Sequence, residues 1–269
     1  MSELIKLFKQ EYARTKKSLG QHFLTNAHFI EEIADAAGLA EGDAVLEIGP
    51  GAGVLTEALH RRSSNIKAVD LDSTACTFLE AQKDAFFPKA TFINSDITEV
   101  DAKELFHEKF TVVGNLPYNV SVRILEHVTN WHKQIECMVF MFQKEVAARV
   151  SARHGSRDYS SLSVFAAYHY DITKIRDIGG GNFWPNTKVT STVLKFTPKK
   201  TFPLEAPESF FKFVRSAFVG KRKTLRNNLR NFPELPEVLE KLGLPPLVRA
   251  EELSLESFLE IYALLGSYL

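Results

Sequence analysis

Asp43-Ala44-Val45-Leu46-Glu47-Ile48-Gly49-Pro50-Gly51-Ala52-Gly53 is the stretch on which the fold turns. An apolar run interrupted only by Glu47 reads as a buried strand. Glycines at alternate positions follow it, and Val54, Leu55, Ala58 and Leu59 then recur at helical spacing. Strand, glycine turn and helix in succession open a doubly wound α/β sheet. The glycines let a ligand approach the backbone, and the helix start presents free amides. A dinucleotide fingerprint needs Gly or Ala at the sixth position of its motif. Counted from Gly49 that position is Val54 and counted from Gly51 it is Thr56, so the dinucleotide reading fails in both registers. Glu-x-Gly-x-Gly-x-Gly suits S-adenosylmethionine instead: no pyrophosphate needs cradling, and Glu47 can meet the ligand's positive charge.

Further strands end in polar residues. Ile66 to Asp70 is closed by Asp70, 21 residues beyond Gly49, near the spacing at which an acid meets a ribose hydroxyl pair. Ala90 to Asn94 leads into Ser95-Asp96-Ile97, where Asp96 can accept from an adenine amine and Ile97 can lie on the adenine face. Phe110 to Gly114 empties into Asn115-Leu116-Pro117-Tyr118. Pro117 lacks an amide proton and pushes Leu116 towards an extended backbone. The carbonyls there turn away from helical bonding, beside the amide of Asn115 and the ring of Tyr118. Acceptors next to an aromatic platform suit a planar group with an exocyclic amine. Phe183 follows Gly179-Gly180-Gly181 and precedes Trp184-Pro185, an unpromising place for a core aromatic, although Trp184 next door could be the packed one.

Composition bounds the partners. Lys+Arg and Asp+Glu are 33 each, so global charge does not point to a polyanion, but its distribution does. Ser209 to Pro233 holds seven basic residues and no acid, and the N-terminal segment is also basic. These are a footprint for a phosphate backbone or a solvated helix face. Cys76 and Cys137 show no metal or disulfide spacing, and no apolar run reaches the length of a membrane span or forms a signal peptide. The expectation is a cytosolic protein without metal or membrane, and a monomer by default. Residues 1–200 are expected to form the α/β domain, with a basic arm over 1–26. After a linker, helices near 207 to 219, 222 to 231, 234 to 241 and 254 to 265 form a small all-helical domain over 201–269.

Taken together, Leu19-Gly20-Gln21-His22-Phe23-Leu24, Glu47-Ile48-Gly49-Pro50-Gly51, Asp70, Asp96, Gly114 to Asn119, Gln143 to Val146, Phe183-x-Pro185 and Lys221 to Leu229 resemble the small-subunit ribosomal RNA adenine N6,N6-dimethyltransferases. The pieces run in family order across nearly the whole chain. The resemblance implies a Rossmann-like S-adenosylmethionine-dependent methyltransferase domain. Its implied reaction is dimethylation of two adjacent adenosines in a hairpin near the 3′ end of small-subunit ribosomal RNA during subunit biogenesis. It implies that His22, Leu24, Gly49, Asp70, Asp96 and Asn115 contact the donor, with Glu47, Gly51 and Ile97 nearby, and that the target adenosine enters between Tyr118 and Phe183. Asn115 and the Leu116 carbonyl would accept the amine protons, with Pro117 fixing their backbone. The RNA would be held by Arg14, Lys16, Lys17, Lys221, Arg222, Lys223 and Arg226, the last four on one helix.

The chain departs from the family pattern at Val122-Arg123, where Thr-Pro is usual, and at Thr187, where a second proline is usual. Both leave the pocket's shape open. Two other readings stay open as well: a large-subunit RNA methyltransferase of the macrolide-resistance type, and a ribosome-assembly or transcription factor that has kept the fold without turnover.

Overall fold

The computed structural model describes residues 3–12 and 22–266. In chain order these form α1 (Glu3–Glu11), β1 (Phe23–Leu24), α2 (Ala27–Ala37), β2 (Ala44–Ile48), α3 (Val54–His60), β3 (Ile66–Asp70), α4 (Ser73–Phe86), β4 (Thr91–Asn94) and α5 (Ala102–Leu105). Next come β5 (Phe110–Asn115), α6 (Ser121–Thr129), β6 (Ile135–Gln143), α7 (Lys144–Val150), α8 (Ser161–His169), β7 (Tyr170–Ile178), β8 (Phe183–Trp184) and β9 (Ser191–Pro198). Four helices close the chain: α9 (Glu208–Ala217), α10 (Leu225–Asn228), α11 (Leu235–Lys241) and α12 (Leu255–Gly266).

The main sheet runs β4-β3-β2-β5-β6-β9-β7. β2 is parallel to β3 and β5, β3 to β4 and β5 to β6, whereas β9 runs antiparallel to β6. Every residue of β2 is buried, as is most of β5, which is why both read as unbroken apolar runs. Each large apolar side chain there contributes about 1.5–3 kcal/mol by leaving water. Strand order reverses between β2 and β5, the place where open α/β sheets bind ligands. The registers make that opening narrow. Ile48 lies opposite both Val69 and Gly114, and Asp70 opposite Asn94. The residues just after these strands therefore come to one level.

β1 and β8 form a separate two-stranded antiparallel sheet, with Phe23 opposite Trp184 and Leu24 opposite Phe183. This pairing draws Phe183 into the core at 2% exposure, against the expectation that it faces a ligand. Trp184, by contrast, is only partly buried and stacks on Phe23 with ring centroids 6.0 Å apart.

The chain divides into two compact units. One contains residues up to Ala147 with Ile172–Pro198, and the other Ala148–Asp171 with the residues from Lys199 onward. The division differs from a single cut at 200, because Tyr159 and, on α8, Val164 and Tyr168 join the same apolar cluster as Phe210, Phe213 and Phe258. The helix expected over 222 to 231 is reduced to α10. Thr224 caps it by accepting from the Asn227 amide. The Asn228 side chain closes the preceding turn, accepting from Gly220 N at 3.1 Å and donating to the Ala217 carbonyl at 2.7 Å. Side chains that bond locally to backbone compete with helix, so Lys221, Arg222 and Lys223 sit exposed in a turn and Arg226 on the short helix behind it. Among the described residues, no helix is long and apolar enough to cross a membrane.

Candidate active site

A cleft opens where β2, β3, β4 and β5 end. It is lined by ten of the residues singled out from the sequence: His22, Gly49, Gly51, Asp70, Asp96, Ile97, Asn115, Leu116, Pro117 and Tyr118.

The glycine turn forms its floor. Gly49 (φ +70°) donates to the Val69 carbonyl at 2.9 Å, continuing the sheet one residue past β2. Gly51 (φ +55°) donates to Asp70 Oδ2 at 3.1 Å. A side chain on Gly51 would place its Cβ 2.6 Å from the ring of Phe23, so both conformation and contact demand glycine. Asp70 Oδ1 accepts from the Asp72 amide at 2.9 Å, and Asp72 accepts from the Tyr12 hydroxyl. The carboxylate of Asp70 is thus held by two backbone amides.

On the opposite side, Asp96 Oδ1 accepts from Thr98 N at 2.9 Å and from Thr98 Oγ1 at 2.8 Å. The Thr98 amide is the main cause holding this carboxyl below its ordinary value, with Arg123 helping against partial burial. Arg123, one of the departures from the family pattern, lines the cleft and reaches Thr98 Oγ1 at 3.2 Å.

β5 supplies the reactive end. Gly114 allows close packing, because a Cβ there would lie 2.8 Å from the Ile48 carbonyl. Asn115 Nδ2 donates to the His22 carbonyl at 3.0 Å, so the amide nitrogen is committed and Oδ1 is the atom left to accept from a ligand. The His22 ring is held in turn by the Pro185 carbonyl, 3.0 Å from Nδ1. Tyr118 lies 5.9 Å from that ring at 24°. Its hydroxyl meets Ser191 Oγ at 2.7 Å, and burial raises its pKa despite that bond.

Three sequence candidates lie elsewhere. Leu24 and Glu47 line a smaller cavity behind the glycine turn. Phe183 is in the core and does not line the cleft, where a second stacking face was expected of it. Arg14, Lys16 and Lys17 fall outside the described residues, and Lys221, Arg222, Lys223 and Arg226 belong to the other unit. Sequence reading missed Ser191, 73 residues from the tyrosine it anchors, for which no local signal exists. It also missed Leu71, 58% exposed at the cleft. An apolar residue directly after Asp70 was a signal for it.

The family of ribosomal RNA adenine dimethylases matches this chain over residues 12–266. The chain is similar to ribosomal RNA small subunit methyltransferase A of Geobacter metallireducens, 37% identical over 92% of this chain and 94% of that one. It is also similar to the protein of the same name from Parabacteroides distasonis, 38% identical over 92% of both. Among solved structures, a dimethyladenosine transferase from Plasmodium falciparum aligns at a TM-score of 0.81 and 25% identity, covering 91% of this chain and 98% of that one. The 23S rRNA methyltransferase ErmE shares the fold at a TM-score of 0.71 and 23% identity, over 91% of this chain and 99% of that one.

Proposed function

The chain belongs to the ribosomal RNA adenine dimethylase family, as an S-adenosylmethionine-dependent rRNA adenine dimethyltransferase. On that premise we propose that it dimethylates N6 of two adjacent adenosines in a hairpin near the 3′ end of small-subunit ribosomal RNA, at the mouth of the cleft between β2 and β5. The observation that carries the reading is Asn115, whose nitrogen is committed to the His22 carbonyl while its oxygen stays available beside Leu116-Pro117-Tyr118.

The cleft suits the methyl donor on its own chemistry. The donor brings a sulfonium and an ammonium, and Asp70 and Asp96 line the cleft while Glu47 lies directly behind it. When bound, it supplies an electrophilic methyl group on sulfur. Asp70, pinned by the Gly51 and Asp72 amides, takes the ribose hydroxyls. Asp96, with Oδ1 occupied by Thr98, offers Oδ2 to the adenine amine, and Ile97 lies on the adenine face.

The target amine is a poor nucleophile because its lone pair is delocalised into the ring. Asn115 Oδ1 and the Leu116 carbonyl accept its two protons, pyramidalise the nitrogen and aim the lone pair across the cleft. Catalysis is then positioning and electrostatics. Tyr118 stacks on the extruded base, its ring fixed by Ser191, at about 1–3 kcal/mol for a stacked base. For the second transfer one acceptor suffices, because the monomethyl amine carries a single proton. Lys221, Arg222, Lys223 and Arg226, with the N-terminal Arg14, Lys16 and Lys17, hold the RNA through its phosphates. Both cysteines are buried and free, which suits a protein working in a reducing cytoplasm.

Labelled-methyl transfer onto immature small subunits, with large-subunit RNA and free adenosine as parallel substrates, tests the assignment. The expected product is N6,N6-dimethyladenosine in small-subunit RNA alone. Methylation of large-subunit RNA, or no transfer to either, would overturn it.

A further inference from the structure

Glu47 lies near the end of β2 at 1% exposure, and neither of its carboxylate oxygens has a hydrogen-bond partner among the described residues. Thr56 Oγ1 on α3 is buried and unpartnered in the same way. The cavity that Glu47 lines is otherwise walled by such side chains as Leu24, Ile33, Val54 and Met141, and it shares Phe23, Gly49 and Asn115 with the donor cleft. An acid without hydrogen bonds against an apolar wall resists ionisation. Burial pushes the Glu47 carboxyl up to about 8, and Asp70 on β3 adds to the rise. The residues of α2, α3, β1 and β5 that line this cavity bring no titratable group. Two orphan oxygens at the inner end of a site whose ligand carries one ammonium are complementary, since that ammonium offers three donors.

We propose that Glu47 holds a proton in the donor-free protein and releases it to solvent when the donor's α-ammonium enters the inner cavity. Donor binding and the loss of one proton are then a single event. The proposal rests on the cleft being the donor site. The balance is a neutral carboxyl and a bound ammonium giving a carboxylate-ammonium pair, with the proton passing to the buffer and no bond to carbon or sulfur changing. With a carboxyl at about 8, about nine-tenths of the molecules carry the proton at pH 7, so binding there releases about 0.9 proton. Affinity tightens about tenfold from pH 6 to 7 and about fivefold from 7 to 8, and it falls again once the ligand's own ammonium deprotonates.

The test is titration calorimetry of the whole protein with S-adenosylhomocysteine, which keeps the ammonium, in phosphate and in Tris at pH 7 and pH 8. The binding heat is expected to differ between buffers by the equivalent of close to one proton at pH 7 and of about half a proton at pH 8. Glu47→Gln should bind more weakly, with no buffer dependence and a flat pH profile, its folding checked by thermal melt. 5′-Methylthioadenosine, which lacks the amino acid end, should bind wild type without releasing a proton. Binding of S-adenosylhomocysteine with equal heats in both buffers at pH 7 would overturn the proposal while leaving the donor site intact. Failure to bind at all would remove the donor site itself. The wild-type arms decide the matter even if Glu47→Gln does not fold.

Discussion

Replacing Asn115 with alanine removes two bonds of different kinds, and the structure separates their sizes. The first is the 3.0 Å bond from Nδ2 to the His22 carbonyl. A bond of this type contributes about 0.5–1.5 kcal/mol, and here the orphaned carbonyl stays at the cleft, where water reaches it. In a protein of this size that lowers the melting temperature by about 2–4 °C. The second is the acceptor for the target amine, which matters only as the nitrogen pyramidalises. Loss of one preorganised partner of that sort costs about 100- to 1000-fold in rate, or about 2.7–4 kcal/mol. Asn115→Ala should therefore remain folded and bind both S-adenosylhomocysteine and RNA, while single-turnover transfer of a labelled methyl group falls by two to three orders of magnitude. A variant that is folded and transfers within threefold of the wild-type rate would refute the acceptor role. One that is slow only because it melts would show that Asn115 serves the fold.

The other predictions follow from neighbouring atoms. Tyr118→Phe loses the bond to Ser191 but keeps the ring, so activity should stay within a few-fold of wild type. Tyr118→Ala should lose about 1–3 kcal/mol of base stacking, and equal activity in the two variants would deny the ring its role. Gly51→Ala forces an L-residue to φ +55° with its Cβ 2.6 Å from Phe23, at about 1–2 kcal/mol for the conformation and 1–3 for the overlap. Its melting temperature should drop by several degrees and its donor affinity should weaken, so a melt unchanged within a degree would contradict the contact. Glu47 makes the donor-free protein lose stability as pH rises. Its folded value, about 8, exceeds the ordinary 4.5, so the folded state binds the extra proton between those limits. The group's contribution is fully present below 4.5 and declines by about 1.4 kcal/mol per pH unit up to about 8. Denaturant titrations of wild type and Glu47→Gln should therefore diverge over that window, and parallel curves would sink the point. Changing Lys221, Arg222, Lys223 and Arg226 to Gln should weaken RNA binding and reduce the salt slope by about 0.7–0.9 per lost phosphate contact. An unchanged slope would make the cluster a solvated face.

The sheet was legible because β2 and β5 are buried on both faces, and burial of that kind leaves continuous apolar runs in the sequence. The convergence of Gly49, Asp70, Asp96 and Asn115 was legible too, since each lies at or just past the end of a strand and parallel registers bring such ends to one level. Phe183 was not. Its neighbours Gly181 and Pro185 signal a loop, and the partner that buries it, Leu24, is 159 positions away in a two-residue strand with no periodicity to read. The basic cluster after Gly220 has a helical composition, but Thr224 and Asn228 spend their side chains on the backbone and keep the first three cations in a turn. Glu47 looked like a ligand contact on the cleft. As β2 passes into the glycine turn it points instead to the inner cavity, a distinction of one face of a strand that the motif alone does not make.

A crystal structure of the protein with S-adenosylhomocysteine and an RNA hairpin bearing the target adenosine tests the central claim most directly. The account predicts the adenine N6 about 3 Å from both Asn115 Oδ1 and the Leu116 carbonyl oxygen, with the donor's sulfur facing it across the cleft and Asp70 on the donor's ribose. An Asn115-Leu116 pair turned into the core, or a donor seated away from the ends of β2 and β5, would contradict it.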